Sequence, residues 1–167
     1  MNTTVPLLAP HPADALTGLL HRHSLEVLLA ADPSAYALLL LGLDPMAHSD
    51  SSRPDAVGDA TLRELGALLR ANCRGADTPA RRSEREFAVL MRGVARGAAL
   101  QAAERLRTLV EIHDWSAVAP GLTVTVCIGV ACCDEAAEVS AIVALADQRL
   151  YVARRDGRNR VVAITDA

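Results

Sequence analysis

The sequence predicts an α+β sandwich in which one mostly antiparallel sheet is flanked by helices, and three observations predict it. Strand and helix patterns alternate along the chain as two strand–helix–strand units sharing one sheet, the ferredoxin-like arrangement. The apolar run Tyr36–Leu43 suits a buried strand and falls far short of the ~20 residues of a membrane span. Two short segments, Thr78–Arg82 and Phe87–Met91, flank the polar stretch Ser83–Glu86 as the arms of a hairpin. With 167 residues, 51% hydrophobic and 22% charged, the chain has the size and composition of one globular domain. We divide it into a short N-terminal extension, 1–13, and a domain, 14–167.

Each element follows from its own punctuation. Asp14-Ala15-Leu16-Thr17-Gly18 opens a helix that runs to Ala31, where Asp32-Pro33 ends it. Tyr36–Leu43 is the first strand. After the polar loop Ser49–Pro54, Leu62, Leu65 and Leu69 place one apolar face on a helix over Ala56–Asn72. Arg74-Gly75-Ala76-Asp77 is a turn leading into the hairpin. A helix over Ala98–His113 buries Leu100, Leu106 and Leu109, and Trp115 covers the core from the following loop. Leu122–Ala131 alternates as a strand, Val139–Arg154 is the last helix, and Arg160–Ile164 closes the sheet.

Composition excludes several classes. The net charge is −3, and all 17 basic residues are arginine, so no basic nucleic-acid surface is predicted. No signal peptide or membrane span is present in the pattern, and cytoplasmic residence is expected. Cys73, Cys127, Cys132 and Cys133 lack metal-ligand spacing, and His21 and His23 lack a third ligand.

Four segments, in order, resemble the GGDEF family of diguanylate cyclases. Asp14-Ala15-Leu16-Thr17-Gly18-Leu19 with His21-Arg22 is similar to its D-x-L-T-G-L-x-N-R entry motif. Thr123 to Ala131 is similar to its v-T-v-S-i-G-v-A strand, with Cys127 in place of Ser. Ala146-Asp147, Leu150-Tyr151 and Arg158-Asn159 are similar to its A-D-x-A-L-Y-x-A-K-x-x-G-R-N ending. Ser83-Glu84-Arg85-Glu86-Phe87 stands where the Gly-Gly-Asp/Glu-Glu-Phe signature belongs. The resemblance covers Asp14 to Val162 and implies an adenylate-cyclase-like palm with the signature on a hairpin.

Active members join two GTP molecules with two divalent metals, held by a first-strand aspartate and the acidic third signature residue. In this register those positions are Gly42 and Arg85, neither of which offers an oxygen ligand. Ser83 and Glu84 replace the glycines that let backbone approach phosphate. The guanine-reading Asn appears as Asp50, while a second guanine contact is kept as Asp59; Arg154 and Arg158 keep the charge of phosphate-gripping positions. Asp44 or Glu86 is the best substitute metal ligand. From this register we expect a catalytically inactive domain, not an enzyme, with no Mg²⁺ and no catalytic residues among Gly42, Ser83, Glu84, Arg85, Glu86 and Phe87.

The resemblance also implies a site for the family's product. Its inhibitory motif, R-x-x-D, is matched by Arg74-Gly75-Ala76-Asp77 six positions before the signature, and its helper arginine by Arg105 in Ala103-Glu104-Arg105. An arginine fork matches guanine O6 and N7 or a phosphate, and a carboxylate accepts from guanine N1–H and N2–H. The expected function is cyclic di-GMP binding at Arg74, Asp77 and Arg105, with the signal passed to a protein partner, either a second copy in a homodimer or an active cyclase. Two alternatives stand beside it: an interaction and dimerisation module that binds no nucleotide, and a GTP-binding regulator using Asp59, Arg154 and Arg158.

Overall fold

The computed structural model describes residues 13–46 and 54–164. A six-stranded sheet runs in the order β1-β3-β4-β2-β5-β6, from β1 (Leu20–His21), β2 (Tyr36–Leu43), β3 (Asp77–Ser83), β4 (Glu86–Arg92), β5 (Val126–Cys132) and β6 (Val161–Val162). The four central strands pair antiparallel, and β1 and β6 add parallel edges to β3 and β5. Strand β2 lies in the middle, with Leu39 opposite Val89 on one side and Val130 on the other. All its side chains are buried, as a continuous apolar run requires when both faces are covered.

Helices cover both faces. Side chains alternate along a strand, so Leu39 and Leu41 meet Leu62, Leu65 and Leu69 of α2 (Pro54–Asn72) and Ala99, Ala103 and Leu106 of α3 (Arg96–Ile112). Leu38 and Leu40 face the other way, onto Leu25 and Leu29 of α1 (Arg22–Ala31) and Ile142, Ala146 and Leu150 of α4 (Val139–Arg155). Each fully buried leucine contributes about 2 kcal/mol. No helix of the described residues is long and apolar enough to cross a membrane.

Several boundaries differ from expectation. Asp14 to Gly18 is a turn and not a helix start: the Asp14 carboxylate accepts from Thr17 N (2.9 Å) and Thr17 Oγ1 (2.7 Å), and Gly18 takes φ +72°. Regular pairing of β5 begins at Val126, not Leu122, and β6 keeps only Val161–Val162 of the expected Arg160–Ile164. Leu106 is buried on α3, whereas Leu100 is 38% exposed and Leu109 half-buried. Trp115 does seal the core, donating its indole N–H to Val110 O at 3.0 Å.

One ion pair fixes α4 to the turn after β5. Arg149 Nη2 and Nη1 reach Glu135 Oε1 and Oε2 at 2.7 and 2.8 Å, and Cys132 N donates to Oε2 at 2.7 Å. Hydrogen bonds from Arg149 hold the Glu135 carboxyl below its ordinary 4.5 against the opposing effect of burial, and the Cys132 amide adds to them. A depressed folded-state value stabilises the fold above the ordinary value and is lost as pH falls through the folded one. Urea midpoints are therefore expected to drop as pH goes from about 5 to about 3, and Glu135→Gln should flatten that dependence.

Candidate functional site

The hairpin β3–β4 and the C-terminal end of β2 meet where the resemblance places nucleotide chemistry. Gly42 pairs with Glu86 of β4 and with Cys127 of β5, which puts it beside the signature positions. A Cβ built on Gly42 would lie 2.9 Å from Cζ and 3.1 Å from Nε of Arg154, so the Arg154 guanidinium fills the space a β2 carboxylate would enter. Arg154 Nη2 also lies 3.4 Å from Glu86 Oε1, and Arg82 Nη1 holds Glu86 Oε2 at 3.0 Å. Arg82 in turn grips Asp147 on α4, with Nη2 to Oδ2 at 2.7 Å. Glu86 is thus bridged by two arginines. Phe87, next to it, is fully buried in the core.

Asp44 is occupied as well. It is buried; its Oδ2 accepts from Thr125 Oγ1 (2.7 Å) and Asn159 N (3.0 Å), and its Oδ1 from Cys127 Sγ (3.0 Å). Burial, followed by the hydrogen bond to Asp44, pushes the Cys127 thiol up to about 12, so it stays protonated. The four cysteines are free thiols. Neither substitute ligand expected from the sequence can turn to a cation without breaking these bonds. Among the described residues no group of three or more His, Cys, Asp or Glu could share a metal ion. The positions Gly42, Arg85, Asp44 and Glu86 do not fit a divalent ion.

Exposed at the hairpin tip, Arg85 reaches Asp44 O at 3.3 Å through Nη2. With Glu84, Asp55 and Asp59 it lines an open cavity of about 720 Å³ whose apolar wall includes Met46 and Leu62. Among the described residues that line this cavity, Asp59 is present and Arg154 and Arg158 are not. Arg158 is exposed, with φ +65°. Asp50 lies outside the described residues. His21 and His23 instead border a separate cavity of about 550 Å³ beside Ser83 and Glu84.

The R-x-x-D turn is better formed. Arg74 N donates to Asp77 Oδ2 (2.8 Å), and Arg74 Nε and Nη2 donate to Oδ1 (3.1 and 2.8 Å). Arg74 Nη2 also bonds Arg92 O at 3.2 Å, tying the turn to the end of β4. Arg105 projects from α3 with Nη2 on Asn72 O at 3.1 Å. Both arginines line one cavity of about 290 Å³ floored by Met91, Val94, Ala98 and Ala102. Asp77 does not line it: its side chain is 3% exposed, against 49% for Arg74. Gln101 lines it too, a residue the motif does not include; its spacing of four from Arg105 on one helix was the available indication.

Comparison with known proteins fits this architecture. The family model described as "Diguanylate cyclase, GGDEF domain" matches residues 12–160. Response regulator PleD of Caulobacter vibrioides is 34% identical over 163 residues, which is 95% of this chain and 35% of that protein. Diguanylate cyclase A of Treponema denticola is 32% identical over 126 residues, 75% of this chain and 34% of that protein. The chain therefore spans about a third of the length of these relatives. The coiled coil and GGDEF domain of DgcB from Caulobacter crescentus, solved in complex with c-di-GMP, shares the fold. Its TM-score is 0.76 at 22% identity, over 91% of this chain and 85% of that one.

These findings correct the expectation that the chain is not an enzyme. Its relatives at this identity include a protein named a diguanylate cyclase, and the matching family carries that description. The residues at Gly42 and Arg85 are local departures, not grounds for setting the chain apart from that family. The chain belongs to the GGDEF family of diguanylate cyclases.

Proposed function

We propose that this domain binds cyclic di-GMP in the cavity between the Arg74 turn and α3, and that the bound state is read by a protein partner. The observation that carries the reading is that Arg74 and Arg105, 31 positions apart in sequence, line one cavity with an apolar floor. Such a cavity suits a planar base lying on Met91 and Val94. Two guanidinium forks at its rim match guanine O6 and N7 or the ligand's two phosphates. The solved relative DgcB holds the same ligand. The partner is a second copy of the domain or an active cyclase, in the cytoplasm, where four free thiols are at home.

Calorimetric titration with cyclic di-GMP tests the reading, and saturable binding in the micromolar range is expected. Arg74→Ala removes a charge-assisted contact, which should cost about 1.5–3 kcal/mol, roughly a 10- to 150-fold rise in Kd. Arg105→Ala should weaken binding less and more salt-dependently, as a screened charge would. Arg22, exposed and paired with Glu26 on α1, is the charge control, and Arg22→Ala should leave affinity unchanged. Wild-type protein without saturable binding would overturn the reading.

A further inference from the structure

The two edges of the sheet are finished differently. At β1, Ala13 forms a bridge to Leu20 on the outer side. At β6 no described residue pairs beyond the strand. Arg160 O accepts from Ile128 N at 2.9 Å, so the main-chain groups of Arg160 and Val162 face β5. Those of Val161 and Ala163, at the alternate positions, face outward. From Val161 to Thr165 the sequence carries no charge and no proline, the residues that ordinarily protect an edge, and only its short length guards it. An apolar cavity of about 280 Å³ lies beside this edge, between Leu145 and Val152 of α4 and the side chains of Val162 and Ile164. Ile164 is 41% exposed. Arg149, the one charged residue lining the cavity, is already paired with Glu135.

Charge selects the occupant. Arg160 is exposed and makes no ion pair with a carboxylate among the described residues; it donates to Arg158 O at 3.1 Å. Asp166 follows it in the sequence, on the far side of the uncharged run. We propose that β6 is a self-association edge, where a second copy of this chain adds its own Val161–Ile164 antiparallel about a twofold axis at Ala163. In that register position 162 pairs with 164, and Arg160 of each copy comes opposite position 166 of the other, an opposite-charge cross-strand pair made twice by symmetry. Ala163 exchanges both main-chain hydrogen bonds with its counterpart, and Ile164 of each copy enters the cavity of the other. A twofold axis at Val162 would instead set Arg160 against Ile164 and leave both charges unpaired. The inference names the surface for a second copy and stands apart from the cyclic di-GMP reading, so ligand-free protein tests it.

The test is sedimentation equilibrium of the full chain over the micromolar to millimolar range, with circular dichroism to confirm folding. Wild type should show a concentration-dependent monomer–dimer equilibrium. Arg160→Asp sets like charges opposite each other at two places and should raise the dimer dissociation constant roughly 10-fold. Combining Arg160→Asp with Asp166→Arg restores opposite charges and should restore the wild-type constant. Ala163→Pro removes an outward amide and none that β5 uses, and should abolish the dimer. If the proline variant does not fold, the charge exchange decides alone. A wild type that stays monomeric overturns the inference, as does a dimer that survives Arg160→Asp or is not restored by the exchange. A monomer whose Val161 and Ala163 amides exchange slowly with solvent would mean that the chain's own residues cover the edge, which overturns it as well.

Discussion

Asp44→Ala is expected to lower stability by about 3–4 kcal/mol, measured as the change in unfolding free energy from urea melts. The carboxylate is buried and joins three segments, through Thr125, Cys127 and the amide of Asn159. Removing it leaves a hydroxyl, a thiol and an amide without an acceptor, each at a desolvation cost of about 1–3 kcal/mol before relaxation. The loop it anchors is demanding, since Gly157, Arg158 and Asn159 take φ +127°, +65° and +45° in succession. Asp44→Asn keeps one oxygen for Thr125 and Asn159 and should lose only about 1–2 kcal/mol. An Asp44→Ala protein within about 0.5 kcal/mol of wild type, the range of ordinary surface changes, would show that the carboxylate is not a structural tie.

Gly129→Ala is the second large effect, expected at about 3 kcal/mol or as failure to fold. Gly129 lies in the middle of β5, opposite Leu40, and α4 crosses directly over it. A Cβ there would meet the main-chain oxygen of Ala146 and would stand 2.5 Å from Leu150 N. These are backbone atoms of a packed helix, so relief requires moving α4 off the sheet and exposing Ile142, Ala146 and Leu150. Gly58, within α2, is the contrast: nothing lies within 4 Å of a Cβ built there. Gly58→Ala should stabilise by about 0.5–1 kcal/mol through helix propensity. Differential scanning calorimetry of the two variants checks both signs.

Much of the fold was legible because local pattern and tertiary role agree. Tyr36–Leu43 reads as a fully buried strand and is the central one, since only a strand covered on both faces can be continuously apolar. Asp14 misled because Asp followed by Thr at +3 has the composition of a helix N-cap. Here the same hydrogen bonds close a turn, and Gly18 with positive φ delays the helix to Arg22. At the candidate site, register alone singled out Gly42, Arg85, Arg74 and Arg105 as positions to compare with the family. It could not show that Arg154 covers Gly42 or that Asp77 lies under Arg74, because both depend on where long side chains settle after packing. Two substituted positions do not decide what the whole chain is, and its similarity to named cyclases along most of its length corrects the expectation drawn from them.

Backbone amide chemical-shift mapping during a cyclic di-GMP titration locates the ligand most directly. The largest shifts are expected in the Arg74–Asp77 turn, at Met91–Val94 and along α3 from Ala98 to Arg105, with saturation in step with the calorimetric isotherm. Shifts concentrated instead at Leu43–Met46, Asp55–Leu62 and the hairpin tip Glu84–Arg85 would place the ligand in the other cavity and contradict the assignment to Arg74 and Arg105.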